Sequence, residues 1–407
     1  MGGAWVLGLR AHAISDGVVA ANGPASDGAA VVTTDEMAAV QGTTRSTLGC
    51  RLGPALVAAL DAAKAAADKT AADKSGDPAL TAVWLSDAAT LTIVRSRVQA
   101  WIARDCPAAS GVATFYDAPS ADDIDDAVAT TLFNGWLVEA LHAVYDDEGV
   151  AFDPLEALRG FVLAVEGRGN GNPKQLKGFS AERGESVLFD RVDTPAIERS
   201  DALLGQAMVA ALIRLRAKPS GLGLGGYGTD DVAAWRWGLR HLLTLDSILA
   251  SFLDGVGSLG ALLANFSISP ERMPLASDIV KGDPRKGLPG FPRAGDYGAV
   301  DAAAPNAIRG AIYGDPSGPA GAPRDMTYSH GPIMRMVIAL HGPDASHPQG
   351  RVDGRTILPG GQSALLKSPF FDDQLRLWLA NQTQPMLFAP VDVVAGAIAH
   401  ERFVPAP

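Results

Sequence analysis

The stretch DDIDDAVATTLFNGWLVEA, Asp122 to Ala140, decides how most of this chain folds. Its aspartates crowd the start, where carboxylates favour the positive end of a helix. Behind them Val128, Leu132, Trp136 and Ala140 recur every four residues, so they share one helical face that needs an apolar partner. The segments on either side repeat the pattern. Thr34-Asp35-Glu36 starts a run with Met37, Val40, Gln41, Leu48, Leu52 and Leu56 at helical intervals, in which Pro54 predicts a break or kink. Asp153-Pro154 caps a helix through Val165, and Asp201 to Ala217 and Asp230 to Leu245 supply two more. The apolar segment Leu242 to Ile268 carries Asp246 and Asp254 in its interior, which favours a buried helix or helical pair over a membrane span.

After about residue 282 the composition shifts to Gly, Pro and Asp. Short apolar runs at Met334 to Leu340 and Thr356 to Leu358 read as strands. Ser368-Pro369 opens a helix with proline in its first turn, and Leu375, Trp378 and Leu379 form its apolar face. The expected fold class is α+β, with a mainly helical part over 1–281 and late strands and a closing helix over 282–407 of the same domain. An isolated strand pair is marginal in water, so these strands are expected to join a sheet whose other strands lie outside this chain.

With 407 residues, 47% hydrophobic and 19% charged, the chain can bury a large core. Its formal net charge of -11 opposes a nucleic-acid partner, which requires clustered Lys and Arg. A small-molecule partner is the better expectation, with no membrane partner. The apolar run Trp5 to Leu9 is too short for a signal-peptide core. Cys50 and Cys106 lie far apart and form no CxxC pair, so neither a zinc ribbon nor a disulfide framework is indicated, and the redox compartment stays open.

Few residues group into a catalytic pattern. In PGGQSALLKSPFFDDQLRLWL, Pro359 to Leu379, Ser363 stands after a Gly-Gly bend, but Leu365 occupies the place of the second glycine of a nucleophile elbow. A turn closing a strand is the simpler reading. Gly221-Leu222-Gly223-Leu224-Gly225-Gly226 satisfies G-x-G-x-x-G without the preceding strand or a following Lys-Ser or Lys-Thr, and reads as a loop. The acidic runs at Asp122 to Asp126 and Asp146-Asp147-Glu148 lack calcium-loop spacing and read as helix-end charge. Histidines 12, 142, 241, 330, 341, 347 and 400 form no metal-ligand motif, and His241, beside Trp235 and Trp237, reads as a hydrogen-bonded structural residue on their helix.

Seven stretches together carry a resemblance: TTDEMAAVQGTTRS from Thr33, ATTLFNGWL from Ala129, VLFDRVDTP from Val187, WRWGLRH from Trp235, GDYGAVDAA from Gly295, GPIMRMVIAL from Gly331, and the stretch from Pro359. In this order they resemble the C-terminal part of the beta chain of the penicillin amidase family of N-terminal-nucleophile hydrolases. The resemblance implies the C-terminal portion of an αββα fold and an amidohydrolase acting on linear amides, located in the periplasm or secreted. In that family the nucleophile is a serine freed by autocatalytic cleavage, and its own α-amino group, of reference pKa about 7.7 to 8.0, is the base. A backbone N–H and an asparagine side chain form the oxyanion hole.

This sequence departs from that pattern. It holds no Ser-Asn-x-Trp start and no Asn-Trp-Asn, and Gly42-Thr43, Gly49-Cys50 and Gly257-Ser258 do not continue as the family's cleavage junction does. Of the family's catalytic residues only an arginine supporting the oxyanion region has a match, because LRAHAI fits Arg-x-x-x-Ile at Arg10 and Ile14. The alternative for Arg10 is an exposed arginine without a role. The resemblance therefore implies a fragment or subunit that is inactive alone and partners the missing N-terminal half or alpha chain. It implies no cofactor in this chain, any calcium site of the family lying upstream. The alternative is a non-catalytic scaffold or binding protein derived from the same fold.

Overall fold

The computed structural model describes residues 9–22, 32–114, 116–146, 154–170, 179–180, 185–218, 226–243, 290–299, 334–343, 345, 348–363, 368–370, 372–388 and 393–395. In chain order the elements are α1 (Leu9–Asn22), α2 (Thr34–Gln41), α3 (Thr47–Asp73), α4 (Pro78–Ser86), α5 (Ala88–Ala103), α6 (Ala121–Tyr145), α7 (Pro154–Asn170), β1 (Phe179–Ser180) and β2 (Glu185–Ser186). Then follow α8 (Ser200–Arg216), β3 (Leu242–Leu243), β4 (Phe291–Pro292), β5 (Arg335–His341), β6 (Arg351–Ile357), α9 (Leu375–Leu379) and β7 (Gln384–Met386). The fold class is α+β and mostly helical. Two compact units share the chain: Met1–Ala13 with Thr43–Gly331, and Ile14–Gly42 with Pro332–Pro407.

The first unit is built around α6. Ser120 caps it by accepting from Asp123 N–H at 3.2 Å while Asp123 accepts from Ser120 N–H at 2.8 Å, a capping box that satisfies two otherwise orphaned donors. From Asp126 through Leu141 every residue is buried, because α3, α5, α7 and α8 pack around this helix. Val128, Leu132, Trp136 and Ala140 are all in the core, and Trp136 donates through Nε1 to Leu204 O at 3.0 Å. Trp101, Phe133, Trp136, Phe161 and Phe189 continue the core as a chain of aromatic pairs, tilted except for the edge-on pair of Phe161 and Phe189.

Three expectations fail here, each for a tertiary reason. Cys50 and Cys106 form a disulfide across 56 residues, a pairing that sequence spacing alone could not indicate. Pro54 does not interrupt α3. The break falls earlier, at Gly42–Ser46, and the buried Leu48, Leu52, Leu56 and Leu60 carry the helix through the proline. The helix expected over Asp230 to Leu245 is instead two 3-10 turns, Val232–Ala234 and Trp237–Leu239, followed by β3. Trp235 and Trp237 turn their Nε1 groups onto Thr229 O and Gly295 O, bonds that fix the chain in turns. Most of Leu242 to Ile268 lies outside the described residues.

The second unit holds a three-stranded antiparallel sheet in the order β5-β6-β7. β5 and β6 pair over seven residues, Arg335 opposite Ile357 and His341 opposite Arg351. The strand expected at Thr356 to Leu358 is therefore longer and starts earlier, at Arg351. One face is covered: Arg335 is buried with its guanidinium 5.1 Å from the Trp378 ring, and Arg355 pairs with Asp35 of α2 at 2.7 Å. The other face presents Met336, Ile338, Leu340 and Val352 to solvent, with Leu340 80% exposed. The closing helix is shorter than expected, five residues, with Ser368–Phe370 and Asp372–Gln374 in bends and turns before it.

Candidate functional site

Residues from four of the seven recognised stretches meet inside the first unit. Ser46 begins it as the N-cap of α3, accepting from Gly49 N–H at 2.8 Å. Its hydroxyl donates to Asp296 Oδ2. Asn134 of α6 donates through Nδ2 to Thr130 O at 2.9 Å and to the same Asp296 oxygen at 3.2 Å. Asp296 Oδ1 accepts from Gly298 N–H at 2.9 Å, and Gly298 O accepts from Thr47 Oγ1 at 2.6 Å. Gly298 is required there: a Cβ would sit 2.7 Å from Leu48 N.

An aromatic wall closes the cluster. Trp237 Nε1 donates to Gly295 O at 2.6 Å, its ring stacks on His241 at 4.7 Å between centroids, and Tyr297 meets it edge-on at 6.2 Å. His241 is fully buried against Trp237, in a bend and not on the helix expected for it. Ser46, Asn134 and Asp296 are likewise wholly buried. Burial pushes the Asp296 carboxyl above its ordinary pKa, and the bonds from Ser46, Gly298 and Asn134 oppose that rise.

The chemistry open to this cluster is limited. Ser46 faces a carboxyl group, yet neither is exposed, so no substrate atom reaches the hydroxyl as the group stands. The cluster is a polar node that joins α3, α6 and the turn at Gly295–Ala299. Among the described residues no group of three or more His, Cys, Asp or Glu is placed to hold a metal ion.

The other candidates are dispersed. Arg10 lies in α1, with its side chain outside the described residues. Ser363 donates its N–H to Phe370 O at 2.9 Å, and the neighbouring Gln362 bonds Asp373, so the bend is tied to the turns before α9. The aspartates of α6 are helix-end charges engaged by arginines: Asp125 with Arg97 and Asp126 with Arg104. His142 pairs with Asp146 and His341 with Asp353, both at 2.9 Å. Gly221 to Gly225 lie outside the described residues.

Sequence reading missed the node because its members are as much as 250 residues apart. Its one local signal was Ser46 before an apolar helical run, the signature of an N-cap. Comparison with curated proteins finds no match. The family model described as penicillin amidase matches residues 1–395. That match covers nearly the whole sequence and includes all seven stretches, and the chain belongs to the penicillin amidase family.

Proposed function

We propose that this chain is the C-terminal part of the beta chain of an acylase that hydrolyses a non-peptide carbon–nitrogen amide bond. The substrate classes that fit are an acylated β-lactam, an N-acyl homoserine lactone and a lipopeptide. The observation that carries the reading is the family match over residues 1–395, with acylase chemistry at family level. Amide hydrolysis of this type needs a nucleophile, a base poised near neutral pH and oxyanion donors. The sequence contains neither Ser-Asn-x-Trp nor Asn-Trp-Asn, so in this reading those groups come from a partner segment.

The roles then divide. The partner's free N-terminal serine attacks the amide carbon while its own amine takes the proton, and Arg10 on α1 supports the charge that develops on the oxygen. The solvent-facing apolar side of the β5–β6 sheet agrees with a partner that covers it, since large exposed apolar patches mark interaction surfaces. The Cys50–Cys106 disulfide agrees with a periplasmic or secreted location.

The test is reconstitution with the coding sequence upstream of Met1. An in-frame Ser-Asn-x-Trp and Asn-Trp-Asn, co-expressed with this chain, should give an enzyme whose kcat falls about 100-fold in Arg10→Ala with little change in KM. A reconstituted enzyme unaffected by Arg10→Ala would remove Arg10 from the machinery. Absence of both motifs upstream would favour a non-catalytic scaffold of the same fold.

A further inference from the structure

Cys50 lies in the first turn of α3 and Cys106 three residues past α5, with their Cα atoms 5.7 Å apart. The bond closes a loop holding all of α4 and α5 and most of α3. Beside it the backbone makes a short antiparallel bridge: Ser46 N–H donates to Cys106 O at 2.9 Å and Ala108 N–H to Thr44 O at 3.2 Å. Ala108 O in turn accepts from Gly295 N–H at 2.7 Å. The segment fastened by the disulfide thus carries Ser46 on one side and the Asp296 turn on the other.

That segment turns sharply out of the end of α5. Asp105 and Cys106 both have left-handed φ, 67° and 54°, and Asp105 N–H donates to Ile102 O at 3.0 Å, the bonding of a helix C-cap. Cys106 N–H donates to Trp101 O at 3.0 Å, and Arg45 pairs with Asp105 at 2.6 Å. Asp105 Oδ1 also lies 3.8 Å from Cys50 Sγ. We propose that Cys50–Cys106 is a redox-sensitive latch on the buried Ser46–Asp296–Asn134 node, closed when oxidised and released by a small dithiol.

The chemistry is a two-electron exchange. One thiolate of the dithiol attacks Cys50 Sγ, the sulfur of the half-buried residue, Cys106 being wholly buried. The Cys50–Cys106 bond breaks, a mixed disulfide forms on Cys50, and Cys106 leaves as a thiolate that takes a proton from water. The second thiolate of the dithiol displaces Cys50, which takes the other proton, and the dithiol departs as a cyclic disulfide. The Asp105 carboxylate repels the incoming thiolate and slows the first step. Once the bond is open, the bridge between Thr44–Ser46 and Cys106–Ala108 is held by its hydrogen bonds alone and loosens.

The experiment uses the full chain with and without dithiothreitol, followed by thiol titration, amide hydrogen exchange and thermal melting. Reduction should raise free thiols from none to two per chain and speed exchange at residues 44–51 and 104–110 about tenfold or more. It should also lower Tm by about 5 °C or more. Cys50→Ala/Cys106→Ala should match the reduced chain and ignore the reductant. Asp105→Asn should be reduced several-fold faster with the oxidised melt unchanged. Two free thiols in protein made in an oxidising compartment, or unaltered exchange in both segments after reduction, would overturn the latch. Equal reduction rates with and without Asp105→Asn would overturn the part given to its charge.

Discussion

The helix α6 and the sheet β5–β6 handle apolar residues in opposite ways. Around α6 both the inward and the lateral faces are covered, so the whole span from Asp126 to Leu141 is buried and even Asn134 is placed inside. On the sheet, Val337, Arg355 and Ile357 face α2 and α9, while Met336, Ile338 and Leu340 face solvent. A buried helix of this length is self-sufficient once its neighbours are in place. A sheet with one apolar face uncovered is not, because about 25 cal/mol per Å² of apolar area remains to be gained by covering it. The difference locates where the chain is a finished core and where it offers a surface.

The largest effect is expected in the core. Trp136→Ala should cost about 3 to 5 kcal/mol, read as a lower urea midpoint with an unchanged slope, because it deletes a wholly buried indole and its bond to Leu204 O. Trp237→Ala should act similarly, and a variant that kept its melting temperature would show that the aromatic wall is not structural. Ser46→Ala should come next, about 1 to 3 kcal/mol, since it removes the N-cap of α3 and leaves Asp296 short of a donor in the interior.

The pH response sharpens the same point. Burial raises the Asp296 pKa in the folded state, so the folded protein holds that proton more tightly than the unfolded chain. Stability from this group is fully present below the unfolded pKa and is lost as pH rises through the folded value. Burial also raises Asp117 and Asp126, which add to the trend. Asp296→Asn does not titrate, so its stability deficit relative to the native chain should shrink between pH 4.5 and pH 7.5 in urea melts. A deficit that widened over this range would contradict the sign.

The smallest effect belongs to the sheet. Leu340→Ser, at a position 80% exposed, should change stability by no more than about 0.5 kcal/mol. It should reduce self-association in light scattering, because the uncovered face of β5 is where another chain would adhere. A cost of several kcal/mol would mean that this face is already covered.

How much of this was readable in advance follows the range of each interaction. The helix α6 was legible because its first-turn aspartates and its four-residue apolar spacing are local. The existence of β5 and of the bend at Pro359–Ser363 was legible for the same reason. The turns at Val232–Ala234 and Trp237–Leu239 were not, since Trp235 and Trp237 look helical by spacing and are set by bonds to Thr229 and Gly295. The disulfide, and the node of Ser46, Asn134 and Asp296, were illegible because each joins residues remote in sequence. Of the site, the sequence offered only Arg10, the family's chemistry and the missing motifs.

The most direct test of the proposed division of roles is hydrolysis by the purified chain alone and after reconstitution with an upstream segment bearing a free N-terminal serine. A chromogenic phenylacetyl or fatty-acyl anilide serves as the amide. The 407-residue chain alone should show no saturable hydrolysis, and turnover should appear once the segment is added. Saturable hydrolysis by the chain alone, abolished by Ser363→Ala or Ser46→Ala in a variant that still folds, would contradict it.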